Sequence, residues 1–213
     1  MATRRLARVI RDFEQVLSDA RALAADANIW SAIRPGLPGM NLARQYLMTE
    51  LAFLRAFLGW EVFLEQSFVF YMHGQQPPRG RGPTRLAFPP TLDIAKDWVI
   101  PEERQFISWE DPAKVGARAS RFFREGRPYS AALRANQAVL KETFKIRNAI
   151  AHKSEKARSV FIEVARNRIG NVPPDITVGS FLCTNVVHAG ATQTYFDLYV
   201  EKLELTASLI VPT

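Results

Sequence analysis

Arg147, Asn148 and His152 are the residues whose types and spacing could do chemistry together. They lie in the string Phe144-Lys145-Ile146-Arg147-Asn148-Ala149-Ile150-Ala151-His152, near the end of a stretch with helical period. An arginine offers a planar fork of donors matched to a phosphate. A histidine is the side chain best suited to moving protons near neutral pH. Such a pair can cleave RNA without a metal. Histidine takes the proton of a 2′-hydroxyl, the oxygen attacks the adjacent phosphorus, and arginine stabilises the charge that builds on the phosphate. Asn148 could orient the histidine or bind the phosphate. Spacing alone favours a plainer reading, in which the arginine is solvated on a helix edge and the histidine complements the helix dipole.

Helix geometry constrains the pair. Val139, Thr143, Ile146 and Ile150 form one stripe that should face a core, and Arg147 lies beside it. Five residues on a straight helix turn through roughly 140°, so Arg147 and His152 diverge around the axis. They reach one ligand only if the helix unwinds near His152, or if two copies of the helix meet and pool their side chains.

The elements that must position them are helical. Arg4 to Ala27 has apolar residues at helical spacing, and Pro35-Gly36-Leu37-Pro38-Gly39 then breaks the chain. Asn41 suits the N-cap of a long helix running to about Met72, apolar nearly all round between Leu51 and Phe70. Such a helix is either central to a bundle or partly covered by a second subunit. Residues 74–92 form a long Pro/Gly/Arg-rich loop carrying Arg79, Arg81 and Arg85, with no acidic residue from Gly74 to Pro90. It reads as a flexible basic arm for phosphates, or as a solvated linker.

Trp98 to Trp109 is ambiguous, with a short helix possible after Pro101. Helices are expected from Pro112 to about Glu125, from Tyr129 to about Lys153, and from Ser154 as cap to about Arg168. Gly170 to Pro174 is a turn, Asp175 to His188 is irregular or weakly β-like, and Thr192 to about Ile210 closes the chain as a helix. The whole, residues 1–213, reads as one all-α domain, a helical bundle with one long basic loop.

Composition narrows the classes. The chain has 213 residues, 47% of them hydrophobic, which suits a globular core. No apolar run approaches the ~20 residues of a membrane span, and the N-terminus lacks a secretory h-region. One cysteine, Cys183, permits no intramolecular disulfide and fits a reducing compartment, so a cytoplasmic location is expected. The net charge of +7 favours polyanionic partners such as nucleic acid. His73, His152, His188 and Cys183 are scattered, with no zinc-site spacing, and the phosphate-loop and dinucleotide signatures are missing. No metal or cofactor is expected.

The string Arg147-Asn148-Ala149-Ile150-Ala151-His152 resembles the signature of the HEPN superfamily: an arginine, a polar residue, and a histidine a short gap later. Here the gap is four residues and the polar residue is Asn148. A second string, Phe57-Leu58-Gly59-Trp60-Glu61-Val62-Phe63-Leu64-Glu65, resembles the Trp-Glu…Glu stretch on an early helix of several HEPN families, notably the RiboL-PSP-like group. The segment Tyr195 to Ile210 is similar to the closing helix of such domains. The resemblance implies a helical bundle that dimerises with its motif helices facing each other across the axis. It implies a metal-independent endoribonuclease of a bacterial toxin or phage-defence kind, with RNA as substrate and an antitoxin or regulatory protein as possible partner. Arg147 and His152 would be catalytic and Asn148 auxiliary. Glu61 and Glu65 would line the cleft, or form only a polar strip. One subgroup carries a tyrosine two residues after the histidine, which its partner modifies, and this chain has Ser154 there. The alternatives are a non-catalytic HEPN-like dimerisation module that binds nucleic acid or a partner protein, and an unrelated bundle with a chance motif.

Overall fold

The computed structural model describes residues 3–33, 41–100 and 108–213, with side chains described for 5–29, 41–100 and 108–213. The Pro35 to Gly39 break and the short helix considered after Pro101 lie outside the described residues. Helix accounts for 71% of the structure, with one small two-stranded sheet among the described residues. No described helix is long and apolar enough to cross a membrane.

Helix α1 (Thr3–Ile33) runs past Ala27. Its buried side chains Leu6, Ile10, Phe13, Leu17, Ala20, Ala24 and Ala27 recur every three or four residues, one face of a helix. Helix α2 (Leu42–Met72) begins where Asn41 caps it: the Asn41 Oδ1 accepts the N–H of Arg44 at 3.1 Å. The remaining helices are α3 (Leu92–Val99), α4 (Pro112–Phe122), α5 (Tyr129–Ala135), α6 (Gln137–Ala151), α7 (Glu155–Ile169), α8 (Val178–Leu182) and α9 (Tyr195–Ile210). A 3-10 turn, Arg124–Gly126, follows α4.

The chain gathers into two compact units. The first holds Met1–Gln15, Gly59–Lys141 and Leu203–Thr213. Its core is aromatic. Phe68 lies 4.9 to 5.3 Å from the rings of Phe123, Tyr129 and Trp109, and Phe63 stacks on Phe13 at 5.1 Å. The loop after α2 is tied to this unit. Gln75 and Pro77 are buried, the Arg79 N–H donates to the Pro212 carbonyl at 3.1 Å, and Arg85 pairs with Phe123 in an isolated bridge. Helix α3 rises in a stretch for which no helix is expected up to Trp98; Thr91 caps it by accepting the N–H of Ile94 at 3.2 Å.

The second unit holds Val16–Leu58 and Glu142–Lys202. Phe181 stacks on Tyr195 at 4.6 Å, and Phe53 meets Tyr199 edge-on at 6.2 Å. Glu142 accepts from Arg168 at 2.8 Å and from the Tyr199 hydroxyl at 2.9 Å. Gly179 sits so close to α2 that a Cβ there would meet the Tyr46 backbone oxygen at 2.5 Å, so only glycine fits. Ser154 caps α7, accepting the N–H of Ala157 at 3.2 Å.

Two expected helices differ, and the stretch Asp175 to His188, expected to be irregular or weakly β-like, carries the short helix α8, capped by Thr177. The single helix from Tyr129 to Lys153 is broken at Asn136, whose φ of −118° and ψ of 18° leave the helical region between α5 and α6. Asparagine is a poor helix-interior residue because its side chain competes for backbone hydrogen bonds. The expected final helix from Thr192 starts instead at Tyr195. Strands β1 (Asn185–His188) and β2 (Ala191–Thr194) pair antiparallel, with Asn185 opposite Thr194 and His188 opposite Ala191. Ala189 and Gly190, both at positive φ, form the two-residue turn such hairpins require. Thr194 then accepts the N–H of Asp197 at 3.1 Å, capping α9.

Candidate functional site

Helix α6 carries all three motif residues, and its buried stripe sets their directions. Thr143 and Ile146 are fully buried, while Val139 and Ile150 are half-buried. Arg147, next to Ile146, is therefore held against the protein surface. Its guanidinium lies 5.8 Å from the centre of the Phe57 ring, and its Nη1 donates to the Asn148 Oδ1 at 3.0 Å.

The helix ends at Ala151, so His152 is the first residue beyond it. The His152 N–H still donates to the Asn148 carbonyl at 2.9 Å, and its side chain is exposed. The Asn148 side chain thus holds Arg147, while its carbonyl makes the last backbone bond of the helix to His152. With Oδ1 engaged by arginine, the Asn148 amide orients the guanidinium.

His152 lines a cavity of about 250 Å³ together with Lys153, Ser154, Glu155, Arg158 and Phe161. Its two cations, Lys153 and Arg158, outnumber its one carboxylate, Glu155, a balance that suits an anion beside the imidazole. Arg147 is not among the residues lining this cavity, so a single chain does not bring Arg147 and His152 together there. Ser154, at the position where one HEPN subgroup has tyrosine, spends its hydroxyl on capping α7.

Glu61 and Glu65 belong to the first unit, whereas Arg147 and His152 belong to the second. Glu61 is half-buried, and Glu65 is exposed in a cavity that also holds Arg5, Arg8 and Asp12. The basic loop divides by role. Arg79 and Arg81 are exposed. Arg85 is half-buried; its Nη1 donates to the Met72 carbonyl at 3.0 Å and its guanidinium lies 4.8 Å from the Phe88 ring centre. Arg85 pins the loop, a role that composition does not separate from phosphate binding.

Sequence reasoning passed over Phe57, Glu50 and Arg158 as site residues. Glu50 accepts the Gly179 N–H at 2.7 Å; burial raises its pKa above the ordinary value, while that bond and the nearby Lys153 lower it. Phe57 stands at the head of the second HEPN-like string, so a signal existed for it. Arg158 enters only because α7 folds back beside the end of α6. The half-buried Cys183 thiol, 3.4 Å from the Thr49 hydroxyl, is pushed up by burial, which argues against a reactive thiolate.

The chain matches no protein-family model, no curated protein and no solved structure at significant similarity.

Proposed function

We propose that the protein is a metal-independent endoribonuclease in which Arg147 and His152 act on the scissile phosphate, with two copies pooling their α6 ends into one cleft. The observation that carries this reading is the open end of α6, where the Asn148 side chain holds the Arg147 guanidinium and the His152 side chain stands exposed just beyond the helix. In the proposed step His152 accepts the proton of the 2′-hydroxyl, and that oxygen attacks phosphorus as the bond to the 5′-oxygen breaks. The leaving oxygen takes a proton from an imidazolium, and the product keeps a 2′,3′-cyclic phosphate. Arg147 stabilises the phosphorane charge. The reading requires two copies, because the cavity of one chain that contains His152 lacks Arg147.

A second reading is a non-catalytic module of the same kind that dimerises and binds nucleic acid or a regulatory protein. The packing of Arg147 on Phe57 favours it, since a structural arginine makes the same contact.

Incubating purified protein with total RNA and EDTA separates the two. Cleavage is expected to persist in EDTA and to leave 2′,3′-cyclic ends. His152→Ala and Arg147→Ala should each lower it by ~10²-fold or more, the size of a lost acid–base or charge stabiliser. Strict dependence on a divalent metal, or wild-type activity in both variants, overturns the mechanism.

A further inference from the structure

A second concavity, of about 620 Å³, opens in the first unit and contains none of the motif residues. Arg81 from the basic loop and Arg124 and Arg127 from the turn after α4 stand at it. The one carboxylate in its lining, Glu125, pairs with Arg127 at 3.0 Å, which leaves two positive charges without an acidic counterpart in the lining. Arg81 and Arg124 come from segments that are tied together, because the Arg124 N–H donates to the Thr84 carbonyl at 2.9 Å. The two guanidinium-bearing segments are thus held in place before any ligand arrives.

The rest of the lining is mostly apolar. Ala131 and Ala135 of α5 present only methyl groups, and Leu209 of α9 adds an aliphatic side. Tyr71 lies beneath the floor, 1% exposed, with its hydroxyl donating to the Ile210 carbonyl at 2.8 Å. The volume falls within the range of about 300–1,000 Å³ that holds small organic ligands. Paired guanidinium forks match a phosphate, and a methyl-lined floor matches a flat ring.

We infer that this concavity is a binding site for a small aryl phosphate, an aromatic body on the α5–α9 floor with its phosphate between Arg81 and Arg124. The site does not rest on the proposed cleavage chemistry, because Arg147 and His152 take no part in it, although it shares Arg81 with the basic loop.

The test is isothermal titration of the full-length protein with naphthyl phosphate, and with naphthol and inorganic phosphate as its two halves. Naphthyl phosphate should bind one per chain, at least about tenfold more tightly than either half. Arg81→Ala/Arg124→Ala, both at exposed positions, should weaken it by about tenfold or more through loss of the charged contacts. Ala131→Phe should abolish binding by filling the floor while leaving both arginines in place. Arg147→Ala should leave binding unchanged. No heat with naphthyl phosphate at millimolar concentration overturns the inference. So does equal affinity for inorganic phosphate, or undiminished binding in both pocket variants with unchanged thermal stability.

Discussion

The Arg147 guanidinium lies 5.8 Å from the centre of the Phe57 ring, so a side chain of α6 is positioned by an aromatic face of α2. Phe57 is 1% exposed, and the contact is on the protein side of the arginine. A cation over a ring gains about 0.5–2 kcal/mol depending on desolvation. Phe57→Leu keeps an apolar side chain but removes the ring. RNA cleavage should fall several-fold, with a smaller loss than in Arg147→Ala, and Phe57→Tyr should restore it. Cleavage rates under EDTA for the three variants check this; full activity in Phe57→Leu would show that the ring does not position the arginine.

Helix α2 leaves Leu47, Leu51 and Leu58 about half exposed, at 54%, 51% and 52%. Their four- and seven-residue spacing places them on one stripe. If a second copy covers this stripe, light scattering should return about twice the 24.1 kDa chain mass. Leu51→Glu/Leu58→Glu should give monomers that have lost cleavage but keep their helical circular dichroism. Wild-type protein that is monomeric at micromolar concentration counts against a pooled site.

The three loop arginines should separate by assay. Arg85→Ala leaves the Met72 carbonyl without its charged donor and should cost about 1.5–3 kcal/mol of stability, read by denaturant unfolding. Arg79→Ala and Arg81→Ala remove exposed side chains and should leave stability within about 0.5 kcal/mol. If each meets an RNA phosphate, each should flatten the plot of log affinity against log salt by ~0.7 for single-stranded RNA. An unchanged slope in both would make the loop a connection only.

Glu50 sets a pH dependence of stability. Burial is the largest influence on its carboxyl and raises its pKa above the ordinary 4.5. A folded-state pKa above the unfolded one means that the native state holds the proton more tightly. Stability from this group is therefore present below about the ordinary value and is lost as pH rises through the raised one. Glu50→Gln, which can still accept the Gly179 N–H, should be more stable than wild type at neutral pH. That advantage should shrink as pH falls through the carboxylate range. Urea unfolding at several pH values checks it; a gap that widens on acidification would reverse the sign.

Much of this architecture was legible in the residues because its causes act within one helical turn. The Asn41 and Ser154 caps, the proline at the start of α4 and the three-to-four spacing of buried residues in α1 need no distant partner. The motif on α6 was legible in the same way, as was the exit of the chain from the helix near His152. Where local preferences balance, packing decided. Thr192 to Thr194 can serve a helix or a strand, and pairing with Asn185 to Val187 selected the strand. Asn136 broke a helix whose apolar period runs on past it. The composition of the basic loop could not tell Arg85 from its neighbours, because its acceptor, the Met72 carbonyl, is created by the end of α2. Phe57 beneath Arg147, and Arg158 beside His152, likewise depend on which helix faces meet in three dimensions. Sequence by itself determined most of the helices and which residues on them are candidates for chemistry. The directions of those side chains came only with tertiary packing, because a guanidinium or an imidazole is aimed by whatever neighbour fills the space beside it.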